Sequence, residues 1–136
     1  MGSFKSICLP SYLPFFYLYP KQSGMSDIKK LTEFIINFRN DRDWEQFHNS
    51  KDLAVAISIE AAELNELFLW KKLEEIDEVD TEKIADELSD VLVYSIMLAH
   101  KHGFDLEEII MSKMKKNGEK YPIEKAKGKM TKYNEL

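Results

Sequence analysis

Apolar residues recur at helical spacing along almost all of the chain after residue 25. Ile28, Leu31, Ile35 and Phe38 lie on one stripe, predicting a first helix that reaches about Arg42, with Ser26 as its N-cap. Ser50-Lys51-Asp52-Leu53 opens a second helix over 51–70, followed by a charged linker from Lys71 to Asp80. A third helix runs over about 81–102 and stops at Gly103, a residue suited to the left-handed turn that ends helices. Asp105 and Glu108 are spaced as a capping box for a fourth helix, which must end before Pro122. The lysine-rich tail has room for one short helix at most. No segment alternates with period two for long enough to make a strand, so the fold class is all-α.

The second and third helices carry too much apolar surface for one chain. Between Val91 and Ala99 only Tyr94 and Ser95 bring a polar group, and much of Leu53 to Leu67 is similar. A helix that is apolar nearly all round must be covered nearly all round. Four or five helices cannot enclose two such elements, so the expected architecture is a four-helix bundle completed by oligomerisation. A symmetric dimer or a dimer of dimers, hence a homotetramer, is the economical form.

Residues 1–24 differ from the rest. Pro10, Pro14 and Pro20 break a mildly apolar run, so no membrane-spanning helix forms there, and the stretch fits a signal peptide poorly. They read as a leader or upstream extension, with residues 25–136 as the functional domain. One cysteine, Cys8, excludes a disulfide framework and a multi-thiolate zinc site, which suits a reducing, cytoplasmic setting. The net charge of −5 argues against binding a nucleic-acid polymer. That charge is uneven: residues 43–90 carry a net of −11 and residues 113–136 a net of +5. Two solvated surfaces explain this equally well as a site where carboxylates hold divalent cations and lysines hold phosphates.

Placement of the acids narrows the choice. Seven pairs of acids stand three residues apart, most of them on linkers or exposed turns. On a helix, Leu53, Ala56, Leu64 and Leu67 all fall within about 40° of Glu60, with Glu63 about 60° away. Val91, Tyr94 and Leu98 bear the same relation to Glu87, with Asp90 adjacent. Both pairs interrupt an apolar stripe. Two antiparallel helices would bring the four carboxylates together, where their mutual repulsion demands a cation. Mg²⁺ prefers oxygen ligands of this kind; a water-filled polar seam or interhelical salt bridges would be the structural alternative.

The remaining polar and aromatic residues are weaker signals. Trp44 and Trp70 flank the acidic helix, a position more often used for packing than for stacking on a base. His48, His100 and His102 show no metal-ligand spacing with the acids and read as structural or exposed. A ferritin-like di-iron bundle needs Glu-x-x-His on two helices, and the chain has that spacing once, at Glu45 and His48, which disfavours it. Lys113, Asn117 and Tyr121 share one stripe at i, i+4 and i+8.

These blocks resemble the MazG-like all-α nucleotide pyrophosphohydrolases, and among them the dCTP pyrophosphatase branch. The matching runs are Arg42-Asp43-Trp44-Glu45-Gln46-Phe47-His48, Glu60 to Leu64, Leu67 to Lys71, and Glu87 to Tyr94. They end in Ser112-Lys113-Met114, Asn117 and Lys120-Tyr121-Pro122, so the similarity spans 26–136. The resemblance implies hydrolysis of a (d)NTP between the α and β phosphates, giving monophosphate and pyrophosphate, in the clearing of surplus or modified nucleotides. It implies Glu60, Glu63, Glu87 and Asp90 as Mg²⁺ ligands, with Glu63 doubling as general base. Lys113, Asn117 and Tyr121 would hold the phosphates, from a neighbouring subunit if the assembly so requires, and Lys113 would stabilise charge on the leaving pyrophosphate. Trp44 and Trp70 would contact the base and Tyr94 would line the sugar pocket.

One position departs from the branch. Relatives carry a histidine in the first helix that helps read the base, where this chain has Ile35. The phosphate chemistry is untouched by that change; its weight falls on base selectivity, which a shorter polar reach would relax or turn toward a modified pyrimidine. A non-catalytic helical module that binds Mg²⁺ or nucleotide is the competing function, and a carboxylate-bridged metalloprotein a third.

Overall fold

The computed structural model describes residues 27–135; the leader expected at 1–24 and the Ser26 cap lie outside them. Among the described residues there is no strand. The chain forms α1 (Asp27–Asn40), α2 (Ser50–Glu66), α3 (Thr81–Lys101), α4 (Leu106–Lys120) and a single-turn α5 (Ile123–Ala126). Short 3₁₀ segments occupy Trp44–Phe47, Leu73–Glu78 and Tyr133–Glu135.

Local chemistry sets the boundaries. Asn49 caps α2, its side chain accepting from the Asp52 N–H at 3.0 Å. Asp80 and Asp105 cap α3 and α4 in the same way, accepting from the N–H groups of Glu82 and Glu108. Gly103 takes φ of 66° just past α3, as its position predicts. The second helix ends earlier than 70. From Asn65 the chain tightens into i→i+3 turns, Phe68 N–H to Asn65 carbonyl at 3.0 Å and Leu69 N–H to Glu66 carbonyl at 3.1 Å. Trp70 then enters the left-handed region at φ 64°, which no helix can continue through.

The core forms where α1, α2 and α3 meet. Leu53 is fully buried against Ile35 and Ile36 of α1 and Ile96 and Met97 of α3, with Val93, Tyr94 and Leu98 packed around them. Ser50 at the start of α2 meets His102 at the end of α3, with Oγ and Nε2 at 3.1 Å. The two helices are therefore antiparallel. Leu53 anchors one end of their seam, and the other end carries the acids. Elsewhere on the two helices Val55, Ile59, Leu88 and Leu92 remain 45–52% exposed, and on α4 Met111 and Met114 are 65% and 58% exposed. Helix α4 makes only slight contact with the other three.

Candidate active site

Antiparallel pairing of α2 with α3 brings Glu60, Glu63 and Glu87 together, each offering an oxygen within 4.8 Å of the others. The spacing is helical: Glu60 and Glu63 stand one turn apart on α2, and Glu87 faces them from α3. Glu60 and Glu87 are half-buried, Glu63 and Asp90 exposed. Asp90 lies a turn beyond the trio on α3, outside the close cluster, yet its charge acts on both Glu60 and Glu87.

Partial burial, then the neighbouring carboxylates Glu63 and Asp90, push the Glu60 and Glu87 carboxyls above the usual range. Among the described residues no Lys, Arg or His pairs with any of the four acids. The ion pairs lie elsewhere, at Lys29–Asp105, Lys30–Asp27, Arg39–Glu45 and Lys51–Asp52. Interhelical salt bridges therefore do not neutralise the cluster. An all-oxygen donor set without histidine or thiol fits a hard divalent cation, and the acids' mutual repulsion gives it a reason to bind.

A pocket of about 340 Å³ opens beside the cluster, between α1 and α3. Phe34, Ile35, Phe38, Trp44, Val93 and Met97 give it apolar walls, while Asp90, Tyr94 and His48 bring the polar atoms. Tyr94 joins pocket to cluster. Burial raises its hydroxyl first, and the charges of Glu60 and Asp90 raise it further. Trp44 meets Phe38 edge-on at 6.1 Å, and the Arg42 guanidinium lies 3.5 Å from the centre of the Phe38 ring. Volume and lining suit a flat heteroaromatic group.

Trp70 stands apart from this pocket, 91% exposed beyond the end of α2. Lys113, Asn117 and Tyr121 lie on α4 and at its C-terminal end, and none of them lines the pocket or the hollow beside Glu63 and Glu66. Within one chain, the structure thus brings together Glu60, Glu63 and Glu87 and the Trp44–Tyr94 pocket but not Lys113, Asn117 and Tyr121.

Two residues of this region escaped the sequence. Arg39 is buried to 3% exposure, its guanidinium donating to Asn40 Oδ1 at 3.0 and 2.8 Å and meeting Glu45 Oε1 at 3.4 Å. Its place four residues after Ile35 on the buried stripe was the available signal. His48, expected to be structural or exposed, is half-buried in the loop after the Trp44–Phe47 turn. Its Nδ1 is buried and its ring meets Tyr94 edge-on at 6.2 Å, contacts that only the tertiary packing reveals.

The MazG-like family model matches residues 55–136, a span that holds all four acids, Tyr94, Lys113, Asn117 and Tyr121. The chain is 34% identical to dCTP pyrophosphatase 1 of Mus musculus over 132 residues, covering 88% of this chain and 72% of that protein. It is 35% identical over 125 residues to dCTP pyrophosphatase 1 of Homo sapiens, with the same coverage. A crystal structure of a pyrophosphatase from Archaeoglobus fulgidus aligns with a TM-score of 0.69 at 35% identity, covering 74% of this chain and 97% of that one. With a family match over more than half its length and relatives above 30% identity across most of it, this chain belongs to the MazG-like family.

Proposed function

We propose that residues 25–136 form a Mg²⁺-dependent nucleoside triphosphate pyrophosphohydrolase. Its substrate is dCTP or a related pyrimidine deoxynucleotide, cleaved to the monophosphate and pyrophosphate. The observation that carries this reading is the convergence of Glu60, Glu63 and Glu87, without a cationic partner among the described residues, beside a pocket sized for a nucleobase.

Glu60, Glu63 and Glu87 would hold the metal, with Asp90 completing the set from the next turn of α3. A bound Mg²⁺ neutralises phosphate oxygens and makes water more acidic. Glu63, the exposed member of the trio, takes the proton of the water that attacks the α-phosphorus. Lys113, with Asn117 and Tyr121 along the same stripe, binds the phosphates and offsets charge on the departing pyrophosphate. Trp44 contacts the base in the pocket, and Tyr94 borders the sugar between pocket and metal. Trp70, which stands apart from the pocket within one chain, would contact the base of a neighbouring subunit's site.

The apolar side chains left open on α2, α3 and α4 support a homo-oligomer, a dimer of dimers. The slight docking of α4 supports delivery of Lys113, Asn117 and Tyr121 to a neighbouring subunit's site. Among the described residues no helix is long and apolar enough to cross a membrane. The proposed role is house-cleaning of the cytoplasmic nucleotide pool.

Incubation with a panel of dNTPs and Mg²⁺ tests the reading by its products. Equimolar deoxynucleoside monophosphate and pyrophosphate is the expected outcome. Orthophosphate as the first product would refute the cleavage site, and binding without turnover would identify a nucleotide-binding module instead.

A further inference from the structure

Beyond α4 the chain turns back onto it. Pro122 follows the end of the helix, α5 occupies Ile123–Ala126, and the backbone then reverses at Gly128. Gly128 takes φ of 74°, and the Lys129 N–H donates to the Ala126 carbonyl at 3.0 Å. A Cβ at Gly128 would meet nothing within 4 Å, so the left-handed backbone alone calls for glycine there. The return brings Tyr133, in the last 3₁₀ turn, onto the end of α4. Its ring meets that of Tyr121 edge-on, with centroids 6.0 Å apart and planes at 81°. Lys120 Nζ lies 4.9 Å from the centre of the same Tyr133 ring.

Lys120 belongs to the stripe of Lys113, Asn117 and Tyr121 by position. Seven residues after Lys113, it lies within about 20° of it around the helix, nearer than Asn117 at about 40° or Tyr121 at about 80°. Among the described residues no carboxylate pairs with Lys120. An aromatic face holds an ammonium without neutralising it, whereas a carboxylate would cancel the charge that a phosphate needs. We infer that Tyr133 is a positioning residue of this stripe, holding the Tyr121 ring and the Lys120 ammonium in place for the substrate's phosphates. This rests on the assignment of Lys113, Asn117 and Tyr121 to the phosphates. Lys120 and Tyr121 are exposed, and an exposed side chain gives up rotamer freedom when it closes on a ligand. Contact with Tyr133 removes part of that freedom beforehand, which strengthens binding without a new contact to the substrate.

The test uses the full chain with Mg²⁺ and two inhibitors of dCTP hydrolysis, magnesium pyrophosphate for the phosphate end and dCMP for the nucleoside end. Tyr133→Leu removes the ring and should weaken pyrophosphate inhibition by about tenfold, the scale of ordering two side chains. Inhibition by dCMP should stay within about threefold of wild type. KM for dCTP should rise with the pyrophosphate constant at nearly constant kcat, the mark of binding lost equally from ground and transition states. Tyr133→Phe keeps the ring and should retain wild-type values throughout. Gly128→Ala strains the turn that returns Tyr133 and should weaken pyrophosphate inhibition in the same selective way. Unchanged pyrophosphate inhibition in Tyr133→Leu, equal weakening of both inhibitors, or a Phe variant that behaves like the Leu variant would overturn the inference. The Gly128→Ala result decides the matter even where Tyr133→Leu does not fold. Lys113→Gln separates the two levels. If it leaves pyrophosphate inhibition unchanged, α4 does not hold the phosphates; if it weakens that inhibition while Tyr133→Leu does not, Tyr133 alone is misassigned.

Discussion

The guanidinium of Arg39, buried in α1, meets the carboxylate of Glu45 at 3.4 Å, tying the core to the turn that carries Trp44. Only the arginine end is out of water: its side chain is 4% exposed and that of Glu45 66%. Removing the exposed partner should therefore cost little and removing the buried one much. We expect Glu45→Gln to change stability by less than about 1 kcal/mol, in line with exposed ion pairs. Arg39→Ala should cost about 2–4 kcal/mol, because it opens a cavity where the buried side chain packs. Denaturant unfolding of the two variants checks this. Arg39→Met should also let the His48 pKa rise, which an NMR titration of the imidazole reads directly.

Glu60 and Glu87 set the pH response of the metal-free protein. Their folded pKa values lie above the ordinary 4.5 because burial and neighbouring acids disfavour the charged form. Below 4.5 both folded and unfolded chains are protonated at these groups, so they contribute nothing. As pH rises through the raised values they ionise in the folded chain at a cost, and stability falls. His48 acts in the opposite sense, since its lowered pKa makes stability fall as pH drops below 6.5. Comparing wild type with Glu60→Gln isolates the carboxylate. Without metal, the variant's melting temperature should match wild type near about pH 4 and exceed it by about pH 7. Mg²⁺ affinity should weaken across the same window as pH falls, with protons released on binding.

Oligomerisation is expected to complete both core and site. Val55 and Ile59 of α2 and Leu88 and Leu92 of α3 leave apolar surface that water covers in the isolated chain. Light scattering at micromolar concentration should give a mass several times 15.9 kDa. Leu92→Glu should reduce that mass and lower activity together, because a charge in an apolar interface is costly to desolvate. A fully active monomer would remove the basis for placing Lys113 in a neighbouring site.

Much of this was legible in the chain itself, for identifiable reasons. Helical periodicity, the Asp105–Glu108 cap and Gly103 are local signals, and they placed α3 and α4 to within a residue or two. Acids set into apolar stripes announced Glu60, Glu63 and Glu87, because helix geometry fixes which side chains share a face. The end of α2 was less legible, since Leu67 to Trp70 continue the apolar pattern while the backbone leaves the helix. Spacing marks Arg39 for the buried stripe of α1 but gives neither its pairing with Glu45 nor the burial of His48 Nδ1. Their roles come from α1 and α3 closing around the Trp44 turn, a tertiary event that no sequence interval encodes.

The most direct measurement is the melting temperature and turnover of Glu63→Gln, with and without Mg²⁺, beside Glu82→Gln as a surface control. Glu82 lies in the exposed first turn of α3, about 140° around the helix from Glu87. Wild type and Glu82→Gln should both melt higher on adding Mg²⁺, as binding to the folded state requires, with turnover within about threefold of each other. Metal-free Glu63→Gln should melt at or above wild type, since one charge leaves a repelling cluster, and should gain little from Mg²⁺. Its turnover of dCTP should fall by about a hundredfold or more, having lost a metal ligand and the proposed base. If Glu63→Gln instead melts lower than wild type while hydrolysing dCTP at the wild-type rate, Glu63 is a structural acid and the metal-centre assignment is wrong.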